Sequence, residues 1–220
     1  MCSDLARPDN RQLEEVLRRF PELAVVPTAD GNLQVAGNLS FSAEHAANER
    51  IDDCYEVEIS VAPGFPRPLP HVLELGGRIP TGFHKHPDGT LCLGSSLRQR
   101  FLMGRQPSLL RFVERCLIPY LYGFSYFQRH GKLPFGELAH GAEGIRQDYK
   151  DLFGVESGEA LRSMFLLASM KKRDANKRQC PCESRRRLGK CHNRRVNWLR
   201  KCFGRSWFRE EYYQLTGRRS

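Results

Sequence analysis

Residues 54–62, CYEVEISVA, alternate apolar and polar side chains through Val61. Tyr55, Val57, Ile59 and Val61 fall on one face of an extended chain, and Glu56, Glu58 and Ser60 on the other. A strand with one dry and one wet face belongs in an antiparallel sheet covered on one side. The flanking sequence supplies the rest of such a layer. DNRQLEEVLRRF (9–20) places Leu13, Val16, Leu17 and Phe20 on one helical face, with Asp9 or Asn10 as cap and Pro21 as stop. LQVAG (33–37) and LSFSA (39–43) read as two short strands. The three prolines of GFPRPLP (64–70) impose an extended connection, after which HVLEL (71–75) resumes as a strand. A long helix is expected from Pro107 to Gln128, bent or interrupted at Pro119. After a loop at 131–144, GIRQDYKDLF (144–153) and GEALRSMFLLASM (158–170) read as two more helices. Helix, antiparallel strands, then helices define an α+β fold.

Charge divides the chain. Of the net charge of +10, residues 171–220 contribute 17 Lys/Arg against 4 Asp/Glu, or +13, which leaves the first 170 residues at −3. The body is near neutral and the tail strongly basic, so the two call for separate explanations. The longest apolar runs, such as MFLLASM (164–170), fall far short of the roughly 20 residues of a membrane helix. The N-terminus carries no basic start followed by an apolar stretch, so a cytoplasmic protein with no membrane partner is expected. In that compartment eight cysteines point to metal or catalysis rather than to disulfides.

The chemistry concentrates in HKHPDGTLCLGSS (84–96), where two histidines, a lysine and an aspartate precede one cysteine. Thiolate is the strongest nucleophile among common side chains, and nearby cations lower the pKa of its thiol. The order of the pieces resembles the ubiquitin-conjugating enzyme family, over about residues 10–155. The matching segments are Phe65-Pro66, Pro68, Pro70, His86-Pro87-Asp88 and Gly89-Thr90-Leu91-Cys92-Leu93. The resemblance is to the bacterial branch of that fold. It implies an N-terminal helix, a β-meander and C-terminal helices. It also implies a transferase that carries a ubiquitin-like modifier as a thioester on Cys92, receives it from an activating enzyme, and passes it to an amine of a protein target. Bacterial proteins of this kind occur in conjugation or antiphage-defence operons.

Two departures touch the site. The family triplet ends in Asn, whose amide donates to the oxyanion formed when the amine attacks. Here Asp88 stands in its place, to accept a proton from the incoming amine or to cap the turn before Gly89. The triplet also abuts Gly89, so either His84 or His86 could assist. Other readings of Cys92 remain: an inert buried thiol, a metal ligand with His84 and His86, or a cysteine hydrolase recruiting His130 or His140. Glu137 and His140 form a second candidate loop, with the bland alternative of a glycine-rich turn. Cys54, Cys116 and His71 are expected to be structural, the two cysteines in the core.

In the tail, Cys180-x-Cys182-x8-Cys191-His192 offers four soft ligands within thirteen residues, which suits structural Zn2+. The pattern resembles the SEC-C motif of the protein-translocation ATPase SecA, CPC-G-S-G followed by basic residues and CC or CH. Glu183 and Arg185 replace its two glycines. Around the ligands, Arg185–Arg187, Lys190, Arg194, Arg195, Arg200 and Lys201 alternate with Trp198, Phe203, Trp207 and Phe208. Such a mixture suits an acidic protein, nucleic acid through phosphate contacts and stacking, or plain solvation. The expected organisation is a conjugating-enzyme-like domain (1–155), a helical extension (156–173), a linker (174–179) and a zinc-bearing basic and aromatic tail (180–220). The two rivals to a transferase are an inactive adaptor of the same fold and a nucleic-acid-binding protein acting through the tail.

Overall fold

A computed structural model describes residues 10–28, 32–135 and 141–217, the side chains of 10, 141 and 142 excepted. Contacts divide the chain into two compact units, 1–94 with 107–138 and 95–106 with 139–220. The expected division followed sequence order. The units do not, because 95–106 joins the second.

The first unit holds α1 (Asn10–Arg19) and four strands, β1 (Leu23–Val26), β2 (Leu33–Ala43), β3 (Ile51–Val61) and β4 (His71–Glu74). They form one antiparallel sheet in chain order, β1-β2-β3-β4. The alternation in β3 is realised: Tyr55, Val57, Ile59 and Val61 are buried, and Glu56 is exposed. The same alternation turns Cys54 outward, so it is exposed rather than in the core. Cys116 is buried, and that burial pushes its thiol up to about 12. His71 is exposed at the start of β4.

The two short strands expected at 33–37 and 39–43 are one. Gly37 has φ +136 and carries the strand through, and a Cβ there would stand 2.2 Å from the Glu22 carbonyl oxygen. That same register pairs β2 with β1, which no alternation announced.

The expected long helix is three pieces: α3 (Leu109–Phe112), a π-helical turn (Val113–Leu117) and α4 (Ile118–His130). Pro119 cannot donate to the turn before it, and the chain meets this with a widened turn. Packed on β2 and β3, α4 buries Leu121, Tyr122 and Phe124.

A polar cluster links α4 and the sheet. Arg78 grips Asp53 through both nitrogens at 2.8 and 3.0 Å and lies over the Tyr55 ring at 4.1 Å. Ser125 Oγ is 2.7 Å from both Asp53 and the Tyr55 hydroxyl. Burial works against the Asp53 carboxylate, yet bonds from Arg78 and Ser125 prevail and hold it at about 2.

The second unit is helical: α2 (Ser96–Met103), α5 (Gly141–Phe153), α6 (Gly158–Ser169), α7 (Lys172–Lys177) and α8 (Asn193–Thr216), the last interrupted at Gly204. Its core gathers Phe153, Met164, Phe165, Val196, Leu199 and Phe208, each fully buried. The tail is therefore not an appendage. Trp207 stacks on Phe203 at 4.9 Å, and Trp198 meets Phe101 at 4.7 Å. Trp198, Phe203 and Trp207, for which stacking on nucleic acid is one of three readings open in the sequence, pack against this core. Residues 174–179, read as a linker, are largely helical, and Ala175 is fully buried.

Arg200 is also structural. It is 9% exposed and donates to the carbonyls of Ala168 and Leu167, while Arg205 donates to Ser169. Together they help to satisfy the carbonyls of the last turn of α6, which lie beyond the reach of the regular i+4 amides. Among the described residues no helix is long and apolar enough to cross a membrane.

Candidate functional site

Cys92 lies on a short hairpin in the first unit. Lys85 and Leu91 form its bridge, flanked by Cys92 N–H to the His84 carbonyl at 2.7 Å and His86 N–H to Thr90 at 2.8 Å. This register sets His84 opposite Cys92, and His86 opposite Thr90. Leu91 N–H also donates to Val72 at 2.8 Å, which anchors the hairpin on β4. Leu91 is buried and Cys92 is half-exposed. The TLCL run thus has one inward side chain, Leu91, and a neighbouring cysteine that is only partly buried.

His84 adopts φ +38, a left-handed conformation uncommon outside glycine, and its ring meets the edge of Phe83 at 5.1 Å. Tyr120 holds this turn from α4, its hydroxyl donating to the carbonyls of Phe83 and His84, each at 3.1 Å. Burial first, then the neighbouring Cys92, pushes the Tyr120 phenol above its usual range. Nothing in the sequence marked Tyr120, since a tyrosine in an apolar helix has no distinguishing pattern.

Asp88 is engaged locally. Its Oδ1 accepts from the Thr90 amide at 3.0 Å and the Thr90 hydroxyl at 2.6 Å, closing the turn at Gly89 (φ +84). The Thr90 hydroxyl, then its amide, hold the Asp88 carboxyl below the usual carboxylate range. His86 is exposed beside it. His130, at the end of α4, pairs with Glu49 at 3.2 Å. Glu137 and His140 lie outside the described residues.

Below the hairpin, Lys85 points inward to Glu74. The Lys85 side chain is 11% exposed and the Glu74 side chain 0%, with Nζ 3.8 Å from the carboxylate. The two Glu74 oxygens also accept the amides of Arg78 and Ile79, each at 3.1 Å. One buried carboxylate therefore shapes the loop after β4 and holds the hairpin strand that carries His84.

The second candidate is in the second unit. Residues 178–188 form another short hairpin, with Leu188 N–H to Arg178, Cys180 N–H to Arg186 and a bridge between Gln179 and Arg187. A 3-10 turn (Leu188–Lys190) follows, and His192 then stands at the position before the first residue of α8. This path brings the ligand atoms of Cys180, Cys182, Cys191 and His192 within 4.8 Å of one another. His192 Nδ1 is 3.2 Å from both Cys180 Sγ and Cys191 Sγ, and Cys182 Sγ is 3.4 Å from both other sulfurs. Tetrahedral bonds of about 2.3 Å to sulfur and about 2.0 Å to nitrogen would space these atoms at roughly 3.5–3.8 Å. The cluster could hold a metal ion.

Supporting groups surround it. Ser184 Oγ lies 3.2 Å from Cys182 Sγ and 3.3 Å from Cys191 Sγ. Burial pushes the Cys180 thiol up to about 12, while the Ser184 hydroxyl and amide overcome burial at Cys182 and bring it down to about 6. The turn between the ligand pairs needs left-handed backbone, and Glu183 (φ 61) and Arg185 (φ 57) supply it without glycine. Each non-glycine residue in this region costs about 1–2 kcal/mol, and glycine's greater unfolded freedom returns part of that. Glu183→Gly and Arg185→Gly should therefore each stabilise the metal-loaded protein, by about 0.5–1 kcal/mol. The check is a rise in the denaturation midpoint followed by tryptophan fluorescence.

Comparison with family models, with curated proteins and with solved structures finds no match to this chain.

Proposed function

We propose that the protein is a ubiquitin-conjugating-like transferase whose nucleophile is Cys92. The observation that carries this reading is a partly buried cysteine on a hairpin anchored to a four-stranded antiparallel meander, with His84 opposite it in the backbone register. The Cys92 thiol loses its proton to the His84 imidazole and attacks the activated carboxyl carbon at the C-terminus of a ubiquitin-like modifier. The thiol of the activating enzyme departs and takes up a proton. A target amine then attacks the new thioester and gives up a proton to solvent, the oxyanion collapses, and Cys92 leaves as thiolate. Asp88 shapes the turn, since its Oδ1 is bound to Thr90. His86 remains exposed at the hairpin tip. In the second unit we assign the metal as structural Zn2+, on the Cys3His donor set.

The test supplies ATP, a ubiquitin-like modifier and its activating enzyme, and follows intact mass. A thiol-sensitive adduct is expected, which Cys92→Ala abolishes and Cys92→Ser converts to a thiol-resistant ester. An adduct that persists in Cys92→Ala overturns the assignment. A second reading, an adaptor that has lost the chemistry, is favoured by Asp88 standing where an oxyanion donor is needed. It predicts that Cys92 alkylates no faster than the exposed Cys54.

A further inference from the structure

A groove of 690 Å³ opens in the second unit between α6 and the hairpin that carries the metal cluster. Its floor is apolar, formed by Leu166, Leu167 and Met170, and Leu166 is 42% exposed. Its opposite wall is Cys180 and Pro181, so a metal ligand is itself part of the groove. Arg178 and Glu183 stand on the lining.

The surroundings are cationic. Lys171, Lys172, Arg173, Lys177 and Arg178 precede the wall, and Arg185, Arg186, Arg187 and Lys190 follow it, all exposed. Among the described residues no Lys or Arg between 171 and 217 forms an ion pair; the ion pairs of the second unit involve Arg98 and Arg146. Of the aromatic rings of this region, Trp198, Phe203, Trp207, Phe208 and Tyr212 pack in or against the core. A nucleic acid would use the cations, but would leave the apolar floor of the groove unfilled.

We propose that this groove docks an acidic peptide segment of a partner protein, with apolar side chains seated on Leu166, Leu167 and Met170 and carboxylates meeting the flanking cations. Apolar anchors supply affinity and the charges supply steering and selection. A metal held by the cluster would fix the Cys180 wall, so the dependence of docking on metal loading rests on the Zn2+ assignment proposed above. Peptide binding that survives metal removal would overturn that dependence while leaving the groove as the docking site. This proposal does not depend on the chemistry of Cys92.

The experiment measures fluorescence anisotropy of the full metal-loaded chain with a short labelled peptide, a Leu-Phe pair between runs of Asp and Glu. Saturable binding weakened by salt is expected. Replacing Leu-Phe by Ser-Ser, or introducing Leu166→Glu or Arg178→Glu, should each weaken it about tenfold or more. Stripping the metal should release the peptide. Because Leu166 and Arg178 are on the surface, near-UV dichroism should confirm that both variants stay folded. Absence of binding overturns the proposal. So does equal binding of the Ser-Ser peptide, or a duplex DNA oligonucleotide that displaces the peptide and binds Leu166→Glu undiminished.

Discussion

Removing metal with a high-affinity chelator is expected to lower the stability of the second unit more than any single surface substitution. A ligand bound only by the folded state contributes RT ln(1 + [L]/Kd), about 4 kcal/mol at a thousandfold excess over Kd. The effect is not confined to the knuckle. Cys180 and Leu188, at the two strands of the metal hairpin, are buried in the same core as Ala175 and Val196. Gly189, in the following turn, approaches α7 so closely that a Cβ would lie 3.0 Å from the Asn176 carbonyl. When the ion leaves, the hairpin loses its cross-link, and three thiols with an imidazole remain at 3.2–3.4 Å with no cation to share. Both tryptophans, Trp198 and Trp207, are in this unit, so their fluorescence reports on it selectively. The denaturation midpoint by tryptophan emission should fall sharply in chelator and return with added Zn2+. Cys182→Ser should reproduce the loss and block the recovery. Affinity should also fall with pH, because the ligands must shed protons to bind. A fluorescence transition unmoved by chelator and by Cys182→Ser would mean that the cluster holds no structural ion.

The half of the fold that follows a simple period was legible in the sequence. Period two in 55–61 and the helical face of Val16 and Phe20 both set burial directly. The metal cluster was legible too, because four ligands within thirteen residues need only a local turn to meet. What escaped depends on contacts distant in sequence. The tail's aromatics and cations look alike in one dimension whether they face solvent or core. Only the packing of α6 against α8 shows Phe208 as a core residue and Arg200 as a cap on carbonyls more than thirty residues earlier. Cys54 was misplaced for another reason, since the period that buries Tyr55 already turned its neighbour outward. At the candidate nucleophile, the tripeptide spacing left His84 and His86 equivalent. The hairpin register separates them, because a two-residue shift along a strand keeps the face but changes the partner.

Glu74→Ala should be the most damaging single change in the first unit, at about 3–5 kcal/mol, the usual cost of breaking one side of a buried pair. Three groups lose their partner together: the amides of Arg78 and Ile79 and the Lys85 ammonium. Lys85→Met should be nearly as severe, since it leaves a fully buried carboxylate without its cation. The paired replacement Glu74→Gln with Lys85→Met removes both charges and retains an amide oxygen for one of the two backbone donors. It should therefore cost much less than the two single changes summed. Tryptophan emission is blind here, so the readout is amide exchange across β3, β4 and residues 84–92. Protection in 84–92 should collapse first in Lys85→Met, because Lys85 is the inward rung beside His84 and the next rung sets Cys92 in place. Alkylation of Cys92 should then accelerate while that of Cys54, on the far side of the β3 alternation, stays constant. Additive single effects would show that the Glu74–Lys85 pair does not hold the hairpin, and the positioning of Cys92 would have to come from the Leu91–Val72 bond and Tyr120 alone.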